Sequence, residues 1–122
     1  MTKKKTILIV DDDYEVVESM RLALTAVGYA VTTARNGDQG LAMAENDRPD
    51  LIILDMMMPK RSGFLVLETL RQTRVDMPRI IVITANEGNR HREYALQLGA
   101  DAYLTKPFPM ATLLAAVEGA LN

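Results

Sequence analysis

Three runs of consecutive apolar residues constrain this chain more than any other feature: Ile7–Val10 (ILIV), Leu51–Leu54 (LIIL) and Ile80–Ile83 (IIVI). Each has strand length, and none alternates with polar residues. A strand with one wet face alternates, so a strand without alternation is covered on both faces. That is the condition of parallel sheets with helices on each side. Two weaker segments, Ala30–Ala34 (AVTTA) and Ala102–Leu104 (AYL), read as further strands. Helical spacing fills the intervals. Val16, Val17, Met20, Leu24 and Val27 form one apolar stripe, which Gly28 closes. The segment GDQGLAMAEND gives a shorter helix before Pro49, and GFLVLETLRQ gives a third. A fourth is expected over Glu87–Leu98, with Tyr94, Ala95 and Leu98 facing inward and Gly99 ending it. The fifth, Met110–Leu121, is expected to bury Met110, Leu113, Leu114, Val117 and Leu121.

Five strand–helix units in succession predict a three-layer, doubly wound α/β fold with a parallel sheet. The three uninterrupted apolar strands belong at the centre and the two weak ones at the edges. That sets the order 2-1-3-4-5, one of the common doubly wound arrangements. The chain has 122 residues without linker, repeat or low-complexity segment, so residues 1–122 are expected to form one domain.

Composition removes several classes of function. There is no cysteine, which excludes disulfides, thiolate chemistry and Cys-based zinc sites. A formal net charge of −2 gives no footprint for nucleic acid or a membrane surface. The start, MTKKKTILIV, imitates a secretory signal, but its apolar run stops after four residues at the aspartates, and the lysines read as a solvated arm. No stretch approaches a membrane span, so a soluble, cytoplasmic protein is expected.

In such sheets ligands bind beyond the carboxyl ends of the strands, near the point where strand order reverses. Here that point lies between strands 1 and 3. Strand 1 runs into Asp11, Asp12 and Asp13, strand 3 into Asp55, strand 4 into Thr84 and strand 5 into Lys106. Each alone is an ordinary cap or turn residue. Independent caps have no reason to gather on neighbouring strand ends. Two carboxylates ~4 Å apart repel by roughly 1 kcal/mol in water and about 4 kcal/mol at an effective dielectric of 20. A cation relieves that repulsion. Carboxylate oxygens without histidine or cysteine suit a hard ion, above all Mg²⁺, which keeps waters and engages phosphate. Lysine is a point-charge phosphate partner, and threonine offers a hydroxyl. Neither a Walker-type loop nor a G-x-G-x-x-G turn is present, so no nucleotide cradle is expected. A carboxylate is then the candidate to receive a phosphoryl group itself.

The pieces IVDD, DLIILDMMMPKRSG, IIVITA and YLTKPF, in this order and spacing, resemble the receiver domain of two-component response regulators over the whole chain. The resemblance implies a switch, not an enzyme, that assists its own phosphorylation and dephosphorylation. Asp55 matches the phosphoryl acceptor. Asp11 and Asp12 match the acidic pair, Asp12 as the more direct Mg²⁺ ligand and Asp11 through water; Mn²⁺ is able to substitute. The backbone carbonyl of Met57 matches the third protein ligand. Thr84 matches the switch hydroxyl, Tyr103 the switch aromatic, and Lys106 the phosphate-pairing lysine, with a cis bond expected to Pro107. Gly63 is expected to permit a turn and close helix approach. Met57 and Asn86 flank the site, where family members vary. Of Met56, Met57 and Met58, one side chain is expected to pack and the others to line the loop.

The implied partners are a histidine kinase or histidine phosphotransfer protein and a downstream effector. Helix 5 carries one charged residue, Glu118. It is expected to offer an apolar surface to a partner or to a second copy, a homodimer then running through helix 4, strand 5 and helix 5. His91, the only histidine, lies beside Arg90 and Arg92 and is expected at the solvated surface. Two rivals compete. In a haloacid-dehalogenase-like phosphatase Asp11-x-Asp13 would be the catalytic motif, but YEV follows where a Gly-Thr-like continuation belongs. A receiver-like interaction module would have no need of Asp55, Asp12 and Lys106 together.

Overall fold

A computed structural model describes residues 4–58, 62–73, 76–85 and 89–122, apart from the side chains of residues 89 and 90. The strands are β1 (Thr6–Val10), β2 (Ala30–Ala34), β3 (Leu51–Asp55), β4 (Arg79–Thr84) and β5 (Ala102–Thr105). The helices between and after them are α1 (Tyr14–Ala26), α2 (Gly37–Asp47), α3 (Gly63–Thr73), α4 (Asn89–Gln97) and α5 (Met110–Leu121). The strands form one parallel sheet in the order β2-β1-β3-β4-β5. This is the doubly wound α/β architecture that the apolar runs predict.

The uninterrupted apolar runs resolve into a period of two. Leu8, Val10, Ile52, Leu54, Ile80 and Val82 face one layer, packed against Val66, Leu67 and Leu70 of α3 with Ala44 of α2 and Ala95 of α4. Ile7, Ile9, Leu51, Ile53, Ile81 and Ile83 face the other, against Val17, Met20 and Leu24 of α1 and Leu113 and Val117 of α5. Both faces are apolar because both are covered. The edge strands β2 and β5 are only partly buried along most of their length, which is why their sequences read as weak strands.

Local chemistry sets the helix ends. Asp13 is the N-cap of α1, accepting from Val16 N at 3.3 Å. Asn36 caps α2 through Gln39 N at 2.8 Å, and the Gln39 side chain returns to Arg35 N at 2.8 Å. Gly28 and Gly99, both at φ +104°, take the left-handed turn after α1 and α4.

Several expected faces differ in detail. Val27 lies past the last turn of α1 and is 58% exposed. In α5 only Leu113 and Val117 are fully buried, while Met110, Leu114 and Leu121 pack partly. Tyr94 is 42% exposed rather than buried, leaving Ala95 as the buried residue among those described in α4. The expected start of that helix at Glu87 lies outside the described residues. Among the described residues no helix is long and apolar enough to cross a membrane.

Candidate functional site

The polar residues at the strand ends meet at one edge of the sheet. Asp11 directly follows β1, and its backbone N–H is held by Ala34 O at 3.1 Å. Asp55 ends β3 beside Ile83 of β4. Thr84 ends β4, and its carbonyl accepts from Lys106 N at 2.8 Å. Parallel pairing therefore brings four sequence-distant segments together. Asp11, Asp55 and Thr84 are the buried polar residues among those described, at 1%, 3% and 1% exposure. Asp12 and Asp13 are exposed. Asp13 serves as a helix cap, and its N–H donates to Asp11 Oδ1 at 2.9 Å.

Asp55 is held at both oxygens. Oδ1 accepts from Met57 N at 3.0 Å, and Oδ2 accepts from the Lys106 ammonium at 3.2 Å. The same ammonium lies 2.9 Å from Asp11 Oδ2. That approach is off the hydrogen-bonding direction, so the contact is an ion pair and the buried oxygen keeps no aligned donor. The Lys106–Pro107 peptide bond is cis.

The Asp55 pKa is raised from 3.8 to about 6: burial is the largest cause and Asp11 adds to it, while the Met57 N–H and Lys106 oppose the rise. For Lys106 burial acts downward, but Asp11 and Asp55 together outweigh it, so its pKa stands above the usual lysine value. Among the described residues the site thus holds two buried carboxylates, Asp11 and Asp55, against the single ammonium of Lys106.

Asp11, Asp12 and Asp55 each present an oxygen, and these oxygens lie within 4.8 Å of one another. An all-oxygen donor set, with one buried oxygen lacking an aligned donor, fits a hard divalent cation such as Mg²⁺.

The turn after Asp55 separates the three methionines. Met56 is buried, Met58 is half-buried and Met57 is 58% exposed. Gly63 brings α3 against this turn: its N–H donates to Met56 O at 3.2 Å, and a Cβ there would overlap Asp55 O and Met56 Cα. Tyr103 is half-buried on β5, in the same layer as Phe64 and Leu98. An open groove of about 520 Å³ runs between α1 and the start of α5, lined by Glu15, Val16, Ser19, Lys106 and Phe108. It gives access to the lysine side of the site.

Sequence reasoning gathers Asp11, Asp12, Asp55, Thr84 and Lys106 at this edge but misses three features. The Lys106–Asp11 pair has no sequence signal. Neither has the groove. His91 is the third: its ring stands 5.4 Å from that of Phe64, rather than free on a solvated face. Asn86 lies outside the described residues.

Known proteins match both chain and fold. The family model for the response regulator receiver domain matches residues 7–118. Response regulator MprA of Mycobacterium avium is 45% identical over 116 residues, 95% of this chain and 50% of that protein. The chain thus spans about half the length of the curated relatives it matches. A CheY-like receiver domain protein from Methanospirillum hungatei superposes with a TM-score of 0.91 at 34% identity, covering 98% of this chain and 94% of that one. Chemotaxis protein CheY4 of Vibrio cholerae gives a TM-score of 0.89 at 31% identity, covering 98% and 100%. A family model that matches almost the whole chain, relatives at 45% identity and a shared fold lead to one conclusion: this chain belongs to the receiver domains of two-component response regulators.

Proposed function

We propose that Asp55 accepts a phosphoryl group from the phosphohistidine of a histidine kinase or a histidine phosphotransfer protein. The observation that carries this reading is the buried Asp55 carboxylate, touching the Lys106 ammonium and within 4.8 Å of two further acids. An Asp55 oxygen attacks phosphorus in line, the N–P bond of the donor breaks, and its electron pair returns to the imidazole. The product is an acyl phosphate. Lys106 neutralises charge on the transferring oxygens, and the Thr84 hydroxyl donates to one of them. Asp12, Asp55 and the Met57 carbonyl would hold Mg²⁺ directly, with Asp11 acting through water. Mg²⁺, or Mn²⁺ in its place, would supply neutralisation of the negative charge that gathers during transfer. The groove beside Lys106 is the approach for the donor histidine.

Movement of Thr84 toward the phosphoryl group would free space for Tyr103 to turn inward, altering the surface of α4, β5 and α5 for an effector. That surface also suits a homodimer, since α5 exposes Ala111, Thr112, Ala115 and Gly119 with Glu118 as its one charge. The balance of charge supports a cytoplasmic switch that contacts neither nucleic acid nor membrane directly.

Incubation with acetyl phosphate and Mg²⁺, followed by intact mass, tests the reading. One phosphoryl adduct is expected, absent in EDTA and absent in Asp55→Asn. No adduct under conditions that label a control receiver domain refutes it. Steady turnover of many phosphate esters would point to a phosphatase instead.

A further inference from the structure

Helix α4 has little to hold it. Ala95 is the one fully buried side chain among those described in the helix, and Arg92, Glu93, Leu96 and Gln97 are exposed. Its other anchorage is an aromatic cluster on α3. The Phe64 ring lies 5.4 Å from His91 and 5.5 Å from Tyr94, tilted by 38° and 36°. The Tyr94 hydroxyl donates to Glu68 Oε1 at 2.6 Å, one turn further along α3. These spacings are those of favourable tilted aromatic pairs.

Phe64 is also the residue after Gly63, whose N–H donates to Met56 O at 3.2 Å and which leaves no room for a Cβ against Asp55 O and Met56 Cα. So a ring that grips α4 sits one peptide from a glycine packed on the backbone that carries the acceptor. Because close-packed groups transmit displacement rather than absorb it, a shift of the Asp55–Met57 turn reaches Phe64 through a rigid contact.

We propose that Phe64, Glu68, His91 and Tyr94 form a clasp that fixes the resting position of α4 and links it to the acceptor turn through α3. This link is separate from the Thr84–Tyr103 route, and its second half rests on the phosphoryl-acceptor reading. The clasp is half-exposed, so each of its contacts biases the position of α4 by a factor of about two to ten. A bias of that size holds a helix and still lets it move.

Hydrogen exchange read by mass spectrometry, on the full chain with Mg²⁺ and with or without beryllofluoride as phosphoryl mimic, tests both halves. Tyr94→Phe removes only the bond to Glu68. Phe64→Leu removes both ring contacts and keeps apolar volume. Leu22→Ala, at an exposed position on α1, is the control. Expected are α4 amides exchanging about two- to fivefold faster in Tyr94→Phe and two- to tenfold faster in Phe64→Leu. Exchange in β1 and β3 stays unchanged, and the α4 response to beryllofluoride is reduced in both variants. Unchanged α4 exchange in Phe64→Leu overturns the clasp, as does an equal acceleration everywhere. If the variants loosen α4 but their response to beryllofluoride equals that of the wild type, the link to the acceptor is overturned. If beryllofluoride leaves even the wild type unaltered, the acceptor reading fails as well, while local loosening still establishes the anchoring role.

Discussion

The two edges of the sheet use aspartate in opposite ways. At the amino edge, Asp50 Oδ2 accepts from Thr6 N at 2.8 Å and from the Thr6 hydroxyl at 3.1 Å. Asp101 Oδ2 accepts from Ile80 N at 2.8 Å, and its other oxygen lies 3.6 Å from Arg79. Each acid there closes a backbone group that the strand start leaves open. At the carboxyl edge three acids crowd within 4.8 Å, with one ammonium between two of them. One edge stitches the fold. The other concentrates like charge at a cost in stability, which the proposed binding of a cation and a phosphoryl group would relieve.

Removing charge from the carboxyl edge should therefore stabilise the protein, and this is the largest effect on folding that the comparison implies. In metal-free buffer Asp55→Asn is expected to raise the unfolding free energy by about 1–3 kcal/mol above pH 6. The sign follows from the raised pKa of about 6 against 3.8. The folded state binds the proton more tightly, so its advantage is full below pH 4 and is lost as pH rises through 6. The gain from Asp55→Asn should accordingly shrink toward zero near pH 4. Urea titrations at several pH values check this, and a destabilised variant at pH 8 would break the contrast.

Mg²⁺ is the second lever. At a hundredfold excess over its Kd it should add about 2.7 kcal/mol to the wild-type unfolding free energy, and much less in Asp12→Asn. Thermal melts with and without the ion measure the difference.

The amino edge should behave in the reverse sense. Asp101→Ala leaves the Ile80 N–H without its acceptor and is expected to cost about 1–2 kcal/mol at neutral pH, with phosphoryl uptake unchanged. A variant that folds normally but loses uptake would show that the two edges are not separable.

How much of this was legible in the sequence depended on the kind of signal. β1, β3 and β4 could be placed because an apolar run without alternation has one physical explanation, cover on both faces. Asp11, Asp55, Thr84 and Lys106 could be gathered because parallel strands put all their carboxyl ends on one edge. The pairing within that group could not. Lys106 and Asp55 stand 51 residues apart, and no local pattern says that the ammonium lies nearer to Asp11. The face of Tyr94 is not fixed by the sequence for a related reason. A short polar helix buries so little that its period does not fix its orientation, and Phe64 on another helix decides where the ring goes. His91 read as a surface residue because its arginine neighbours dominate the local sequence, whereas its contact is with α3.

The measurement that bears most directly on the account is the position of the phosphoryl group. After incubation with acetyl phosphate and Mg²⁺, reduction with borohydride converts an aspartyl phosphate to homoserine, and peptide sequencing by mass spectrometry reads the residue. Homoserine at position 55, and at no other, is the expected result. Homoserine at Asp11, Asp12 or Asp13, with Asp55 intact, would contradict it.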